Sequence, residues 1–102
     1  MATYIALIDY TDRGVQAIQD SPARSEAFVA RAAAMGVTVK DLYWTFGGHD
    51  GVVIVDAPDE ETAAALFLSL GAAGAVRTQT LRAYDRDGMG RILGKMAAEG
   101  ES

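Results

Sequence analysis

The residues best suited to acid–base chemistry are one histidine and one aspartate. His49 is the only histidine of the chain and lies in the glycine-rich stretch Gly47–Gly51, which reads GGHDG. Asp9 ends an apolar run, and burial there would raise its pKa toward the range of a general base. We therefore take His49 and Asp9 as candidate catalytic residues. The competing interpretations are a solvent-facing histidine and an aspartate that caps a turn or helix.

Three further side chains are suited to binding a small molecule. Tyr10 follows Asp9 and Trp44 precedes the glycine-rich stretch, so both rings are candidates to line a ligand cavity. Arg82 has the paired N–H donors that bind anions. The alternatives for these residues are packing in the core or at a dimer interface, and ion pairing with the acidic surplus of the chain.

The stretch Gly47–Gly51 also has a structural interpretation. It stands between two apolar-rich segments, and glycine supplies the positive φ angles that tight turns need. Asp50 is able to bond nearby backbone N–H groups. The lysine and following helix of a phosphate-binding loop are missing. We therefore expect a hairpin in which the glycines and Asp50 serve backbone geometry, while His49 is free for another role.

Composition excludes several classes of function. With 102 residues the chain is expected to form one domain, and its net charge of −5 opposes non-specific binding of nucleic acid. There is no cysteine and a single histidine, so we expect no disulfide, no metal and no cofactor. No basic region precedes the first apolar run, and no apolar segment approaches the roughly 20 residues that cross a bilayer. We therefore expect a cytoplasmic protein without membrane partners.

Hydrophobic periodicity predicts the element order β-α-β-β-α-β with a further C-terminal helix. Pro22 places the start of the first long helix at Asp20 or Ser21, and Gly36 ends it. Asp59 caps the second long helix. This order gives an α+β, ferredoxin-like fold with helices on one face of a four-stranded antiparallel sheet. The strands are predicted over residues 3–10, 37–46, 51–57 and 76–84.

The chain divides into a ferredoxin-like domain, residues 1–84, and a C-terminal segment, residues 85–102. Three glycines in the segment weaken a helix, yet its apolar residues recur at helical spacing. We expect a helix over Met89–Ala97 that docks on its own sheet or on another subunit. The first strand is apolar on both sides, so the sheet face without helices is expected to pair with a second copy.

The sequence resembles the GYD domain family, small bacterial proteins with a Gly-Tyr-Asp signature. That signature stands here as Gly48-His49-Asp50, so a role tied to the tyrosine hydroxyl does not carry over. The resemblance implies a ferredoxin-like subunit similar to those that dimerise into α+β barrels, and it implies no particular reaction. The segment after Tyr84 lies outside these motifs. The matching stretches are YIALIDYTDRG at residues 4–14, SPAR at 21–24, YWTFGGHDGVVIVDAPDEE at 43–61 and VRTQTLRAY at 76–84.

Two classes of function remain open at this point. The first is a small-molecule-binding protein or cofactor-independent enzyme with a pocket between sheet and helices. The second is a non-catalytic module whose product is a homodimer or larger oligomer. A polar-tipped cavity near His49 favours the first class, and a solid core with a large apolar interface favours the second.

Overall fold

In the described part of the chain four strands and three long helices follow the predicted order, and one short additional α-helix comes after the first strand. The computed structural model describes the backbone of residues 1–100 and the side-chain surroundings of residues 1–97. Residues 101 and 102, the end of the C-terminal segment, lie outside the described residues. The elements are β1 (Ala2–Tyr10), α1 (Asp12–Gln16), α2 (Ser21–Ala34), β2 (Thr38–Trp44), β3 (Gly51–Ala57), α3 (Glu60–Ala72), β4 (Val76–Ala83) and α4 (Arg86–Gly100).

The four strands form one antiparallel sheet in the order β2-β3-β1-β4. Strand β1 therefore lies inside the sheet, where it pairs with β3 on one side and β4 on the other. The register places Ile8 opposite Gly51 of β3 and opposite Thr78 of β4. This arrangement confirms the predicted α+β, ferredoxin-like fold.

Helices α2 and α3 cover one face of the sheet, and the core lies between them. Along β3 every second residue is buried, as expected for a strand with one covered face. The rings of Phe28 on α2 and Phe67 on α3 pack with their centroids 6.0 Å apart. The buried apolar cluster consists of Tyr4, Ala6, Phe28, Ala32, Val37, Val53, Val55, Ala57, Ala63, Leu66 and Phe67.

The helix ends follow local sequence signals with one exception. Gly36 closes α2 as predicted, with a φ of 78°. Asp59 caps α3 by accepting from the Thr62 N–H at 2.7 Å, and this bond lowers the pKa of its carboxyl group. At the start of α2, by contrast, Asp20 occupies the cap position without a side-chain bond to the helix. Pro22 in the first turn and the preceding 3-10 turn, Ile18–Asp20, define this helix start instead.

The short helix α1 lies unusually close to the loop that precedes β4. Thr11 donates to that loop twice, from its backbone N–H to the Ala75 carbonyl at 3.1 Å and from its hydroxyl to the Gly74 carbonyl at 2.6 Å. Gly14 is buried in this contact, and a Cβ at its position would lie 2.0 Å from the Ala75 carbonyl oxygen. Only glycine fits here, so Gly14 fixes the path of the chain as it leaves β1.

Strand β2 ends two residues earlier than predicted. The sequence places its end at Phe46, whereas the strand ends at Trp44 and the Phe46 side chain is fully exposed. The hydroxyl of Thr45 donates to the His49 carbonyl at 2.6 Å and closes the loop. The apolar character of Phe46 therefore extended the prediction into a residue that belongs to the turn.

Within the described residues no helix covers the opposite face of the sheet, and this includes α4. Helix α4 includes the predicted residues Met89–Ala97, and Asp85 accepts from the Gly88 N–H at its start. Its apolar side chains are open to solvent, with Met89 48%, Leu93 50% and Met96 63% exposed. Among the described residues α4 packs extensively on no other element. Docking on its own sheet, one of the two alternatives, is thus not observed.

Candidate functional site

A cleft opens between the covered face of the sheet and the first turns of α2. Its volume is about 90 Å³, and it is open to solvent on one side. Apolar side chains form its walls because β1 and β2 turn one face toward the helices. Polar residues lie mainly where β1 and β2 end and α2 begins. The apolar lining residues are Ile8, Phe28, Leu42, Leu70, Ala73, Ala75 and Val76, the polar ones are Tyr10, Ser21, Arg24, Ser25 and Asp50, and Tyr43, Trp44 and Gly51 complete the lining.

Three hydrogen-bonded side chains from three elements form the tip of the cleft. The indole Nε1–H of Trp44 donates to Ser21 Oγ at 2.7 Å, and the Tyr10 hydroxyl lies 2.9 Å from the same oxygen. Ser21 is 9% exposed and is the one buried polar residue of the described side chains. We call Tyr10, Ser21 and Trp44 the hydroxyl–indole trio. Two rings that could have packed without polar contacts are here oriented by a single serine.

The start of α2 is held in place so that Ser21 faces the cleft. Pro22 follows it in the first turn, where the missing N–H costs nothing. The guanidinium of Arg24 donates to the Ala17 carbonyl at 2.9 Å, which ties the helix to the preceding turn. Since Arg24 is three residues after Ser21, both side chains lie on the same face of the helix.

Asp50 fixes the hairpin loop to the end of β1. Its backbone N–H donates to the Ile8 carbonyl at 2.8 Å, and its carboxylate accepts from the Tyr10 N–H at 2.8 Å. Its carbonyl accepts from the Thr45 N–H at 2.9 Å. These bonds extend the pairing of β1 and β3 beyond Gly51. The aspartate of the glycine-rich stretch therefore has the backbone role that the hairpin interpretation gives it.

Gly47 is the glycine whose conformation the loop requires. Its φ is 134°, whereas Gly48 and Gly51 have no positive φ. We expect Gly47→Val to lower the free energy of unfolding by about 1–3 kcal/mol, because a β-branched residue is strained there. Urea denaturation measures the change. Gly48→Val is the matched control, since open space surrounds a Cβ at both positions; equal losses in the two variants would contradict this explanation.

The two candidate catalytic residues contact each other but lie away from the cleft. His49 Nδ1 is 3.2 Å from both carboxylate oxygens of Asp9, and their side chains are 36% and 39% exposed. Successive residues of a strand point to opposite faces. Tyr10 faces the helices, so Asp9 belongs to the open face of the sheet. Arg77, the cross-strand neighbour of Asp9, lies on that face too.

Of the three candidate binding residues, the structure brings two together. Tyr10 and Trp44 share Ser21, as described above. Arg82 is paired in register with Tyr4, six residues along β1 from Tyr10, and its guanidinium lies over the rings of Tyr4 and Tyr84. It also donates to the Thr3 carbonyl at 3.1 Å. Arg82 therefore lies at the other end of the sheet.

Sequence reasoning missed Ser21 and Arg24. Ser21 was open to interpretation as a helix cap, and in the structure its hydroxyl bonds the two rings instead. A serine before proline at a helix start gives no signal that distinguishes these roles. Within the described residues no group of three potential metal ligands comes together, and no helix is long and apolar enough to cross a membrane.

Comparisons with known proteins agree with this architecture. The family model described as "GYD domain" matches residues 4–93, and so extends past Tyr84, where the sequence motifs end, into α4. Among solved structures, the chain is similar to the protein TTHA0845 from Thermus thermophilus. That similarity has a TM-score of 0.53 and 26% identity, and covers 84% of this chain and 100% of the other. No curated protein matches the chain.

Proposed function

Starting from the fact that the chain belongs to the GYD domain family, to which no reaction is assigned, we propose that it binds a small molecule in the cleft between β1, β2 and α2. The observation that carries this proposal is the hydroxyl–indole trio at the tip of an apolar cleft. Ligand sites typically combine apolar walls with a few convergent polar groups. Here Ser21 holds the polar atoms of Tyr10 and Trp44 at one point.

The single tryptophan makes the proposal directly testable. Trp44 lines the cleft, so excitation of tryptophan reports on this site alone. We titrate a series of single-ring aromatic compounds that includes neutral members, such as benzyl alcohol, and charged ones. At least one member is expected to change the Trp44 fluorescence saturably. The absence of a saturable change with every member would contradict the proposal.

A cleft-filling substitution separates specific binding from surface adsorption. Ser25 lines the cleft on α2, whereas Ala30 on the same helix is exposed and outside it. We expect Ser25→Phe to weaken binding at least tenfold, because the added ring occupies the space of the ligand. Ala30→Phe adds the same ring to the helix and is expected to bind as the unchanged protein does. Equal losses of affinity in the two variants would show that the compounds bind outside the cleft.

A second function, assembly through the open face of the sheet, is favoured by the apolar side chains of that face. Ile5 of β1 lies between Ile54 of β3 and Leu81 of β4 on the face without helices, and Leu81 is 50% exposed. Exposed apolar patches of this kind typically mark interfaces between proteins. The proposed partner is a second copy of the chain, because a two-fold symmetric dimer buries the open sheet face of both subunits in one interface.

Charge substitution on the open face tests this second function. Leu81 on β4 is 50% exposed and lies opposite Ile5, so it belongs to the face without helices. We expect the unchanged protein to sediment as a dimer or larger species at micromolar concentration, and Leu81→Glu to weaken association at least tenfold. Leu68→Glu is the control, because Leu68 is 73% exposed on helix α3. A purely monomeric unchanged protein would overturn the proposal.

A further inference from the structure

The hydroxyl–indole trio has one more donor than its internal bonds use. Trp44 Nε1–H, the Tyr10 hydroxyl and the Ser21 hydroxyl carry one donatable hydrogen each. An indole only donates, so Ser21 Oγ accepts from Trp44. The second bond joins the two hydroxyls and uses one of their hydrogens, whichever group donates. One hydroxyl hydrogen at the tip therefore has no partner within the trio and is available to donate to a ligand in the cleft or to water.

The two charged side chains of the cleft lie on its two sides. Arg24 is on the helix side, on the same face of α2 as Ser21, and its described bond to Ala17 uses one of five N–H donors. Asp50 is on the sheet side, where its carboxylate accepts from the Tyr10 backbone N–H. Arg24 thus keeps four N–H donors on the helix side of the cleft, while one carboxylate oxygen of Asp50 on the sheet side is bound to the end of β1.

The walls limit the size and shape of a ligand. Apolar side chains form most of the cleft walls, and the polar ones lie mainly at the ends of β1 and β2 and the start of α2. A fully enclosed apolar cavity of about 150 Å³ holds benzene. The volume here is about 90 Å³, but the cleft is open on one side and a bound molecule can extend through the opening. One flat ring fits these dimensions better than a fused ring system.

We propose that the ligand is a single-ring aromatic anion, of which an aromatic carboxylate is the simplest class. This inference rests on the binding function proposed above. One carboxylate oxygen accepts from the free hydroxyl of Tyr10 or Ser21, and the charge of the carboxylate faces Arg24. The ring packs on Phe28, Leu42 and Leu70. Charge-assisted bonds from a guanidinium to a carboxylate are stronger than bonds between neutral groups, so the anion is preferred over neutral analogues.

Three probes of equal ring size test the ligand class. Benzoate offers an anionic acceptor, benzyl alcohol a neutral acceptor, and benzylamine at neutral pH a cation. Binding is followed by the single indole N–H resonance of Trp44 and by its fluorescence. We expect benzoate to bind about tenfold more tightly than benzyl alcohol, and benzylamine to bind most weakly. Tighter binding of benzylamine than of benzoate would overturn the proposal, since Asp50 and not Arg24 would then decide the preference.

Two arginine substitutions on helix α2 test whether the positive charge of Arg24 attracts the anionic ligand. Arg24→Gln is expected to weaken benzoate about tenfold more than it weakens benzyl alcohol, whose affinity reports any loss of the bond from Arg24 to Ala17. Arg31→Gln is the matched control, because Arg31 is exposed on α2 outside the cleft and donates to Ser69. Equal affinities of all three probes, or no effect of Arg24→Gln on benzoate, would overturn the ligand class but leave binding in the cleft intact. Failure of every probe to move the Trp44 signal would overturn both.

Discussion

Gly14→Ala is expected to lower the free energy of unfolding by about 3 kcal/mol, the upper part of the range for overpacking a tight site. The added Cβ would lie 2.0 Å from the Ala75 carbonyl oxygen, which is backbone and cannot turn aside as a side chain can. Thr11 holds this carbonyl by a hydrogen bond, so relief of the clash separates α1 from the loop before β4. Urea denaturation followed by Trp44 fluorescence, with linear extrapolation, measures the loss.

The same substitution in α4 is the control for Gly14→Ala. Gly90 is helical, and within 4 Å a Cβ there would meet nothing beyond its chain neighbours and the backbone of its own helix. Alanine is the better helix former by about 1 kcal/mol, so Gly90→Ala is expected to leave stability unchanged or to increase it. If Gly14→Ala cost less than about 1 kcal/mol, the close approach of α1 to the Ala75 carbonyl would not exist in solution.

Asp50→Ala is expected to lower the free energy of unfolding by about 2 kcal/mol. The change removes the carboxylate that accepts from the Tyr10 N–H, and that donor then loses a charge-assisted bond at a half-buried position. The loop keeps the backbone bond from the Asp50 N–H to the Ile8 carbonyl but loses its side-chain bond to the end of β1, which carries a ring of the trio. Asp50→Asn keeps an acceptor oxygen and is therefore expected to lose less than half as much.

His49→Ala changes the residue next to Asp50. It tests whether the histidine side chain contributes to stability or whether the loop depends on Asp50 and its backbone bonds. The His49–Asp9 pair is more than one-third exposed on both sides, and such pairs contribute about 0–1 kcal/mol. We expect a change within about 0.5 kcal/mol in the same urea titration. A loss in His49→Ala as large as that in Asp50→Ala would show that the histidine side chain holds the loop.

The elements of the fold were predictable because their signals are local. Pro22, Gly36 and Asp59 act through the conformation of their own backbone or through bonds within one helical turn. The alternation along β1 depends only on the two-residue repeat of a strand. The C-terminal helix was predictable from the helical spacing of its apolar residues. Its position was not, because spacing within one helix does not say on which surface those residues dock.

The cleft was only partly predictable because its members meet through long-range pairing. Tyr10 and Trp44 are suited to a ligand site by their chemistry, but Ser21, which joins them, has no sequence signal for that role. Alternation along β1 separates Asp9 from Tyr10, so the two adjacent candidates could not line one cavity. Arg82 lies on the same face of the sheet as Tyr10. Only the pairing register of β4 with β1 shows that Arg82 lies at the opposite end of the strands from Tyr10.

The order of strands in the sheet also governs when the protein can fold during synthesis. Strand β1 is made before its two neighbours, and its partners lie roughly 50 and 75 residues further along the chain. Contacts of such high sequence separation slow folding, because closing the long intervening loop costs chain entropy before the contacts stabilise the fold. The hairpin of β2 and β3 is the one pair of adjacent strands with a short connection. On the ribosome, β1 therefore remains an unpaired apolar segment until this hairpin emerges, and its second edge stays open until β4 has left the exit tunnel.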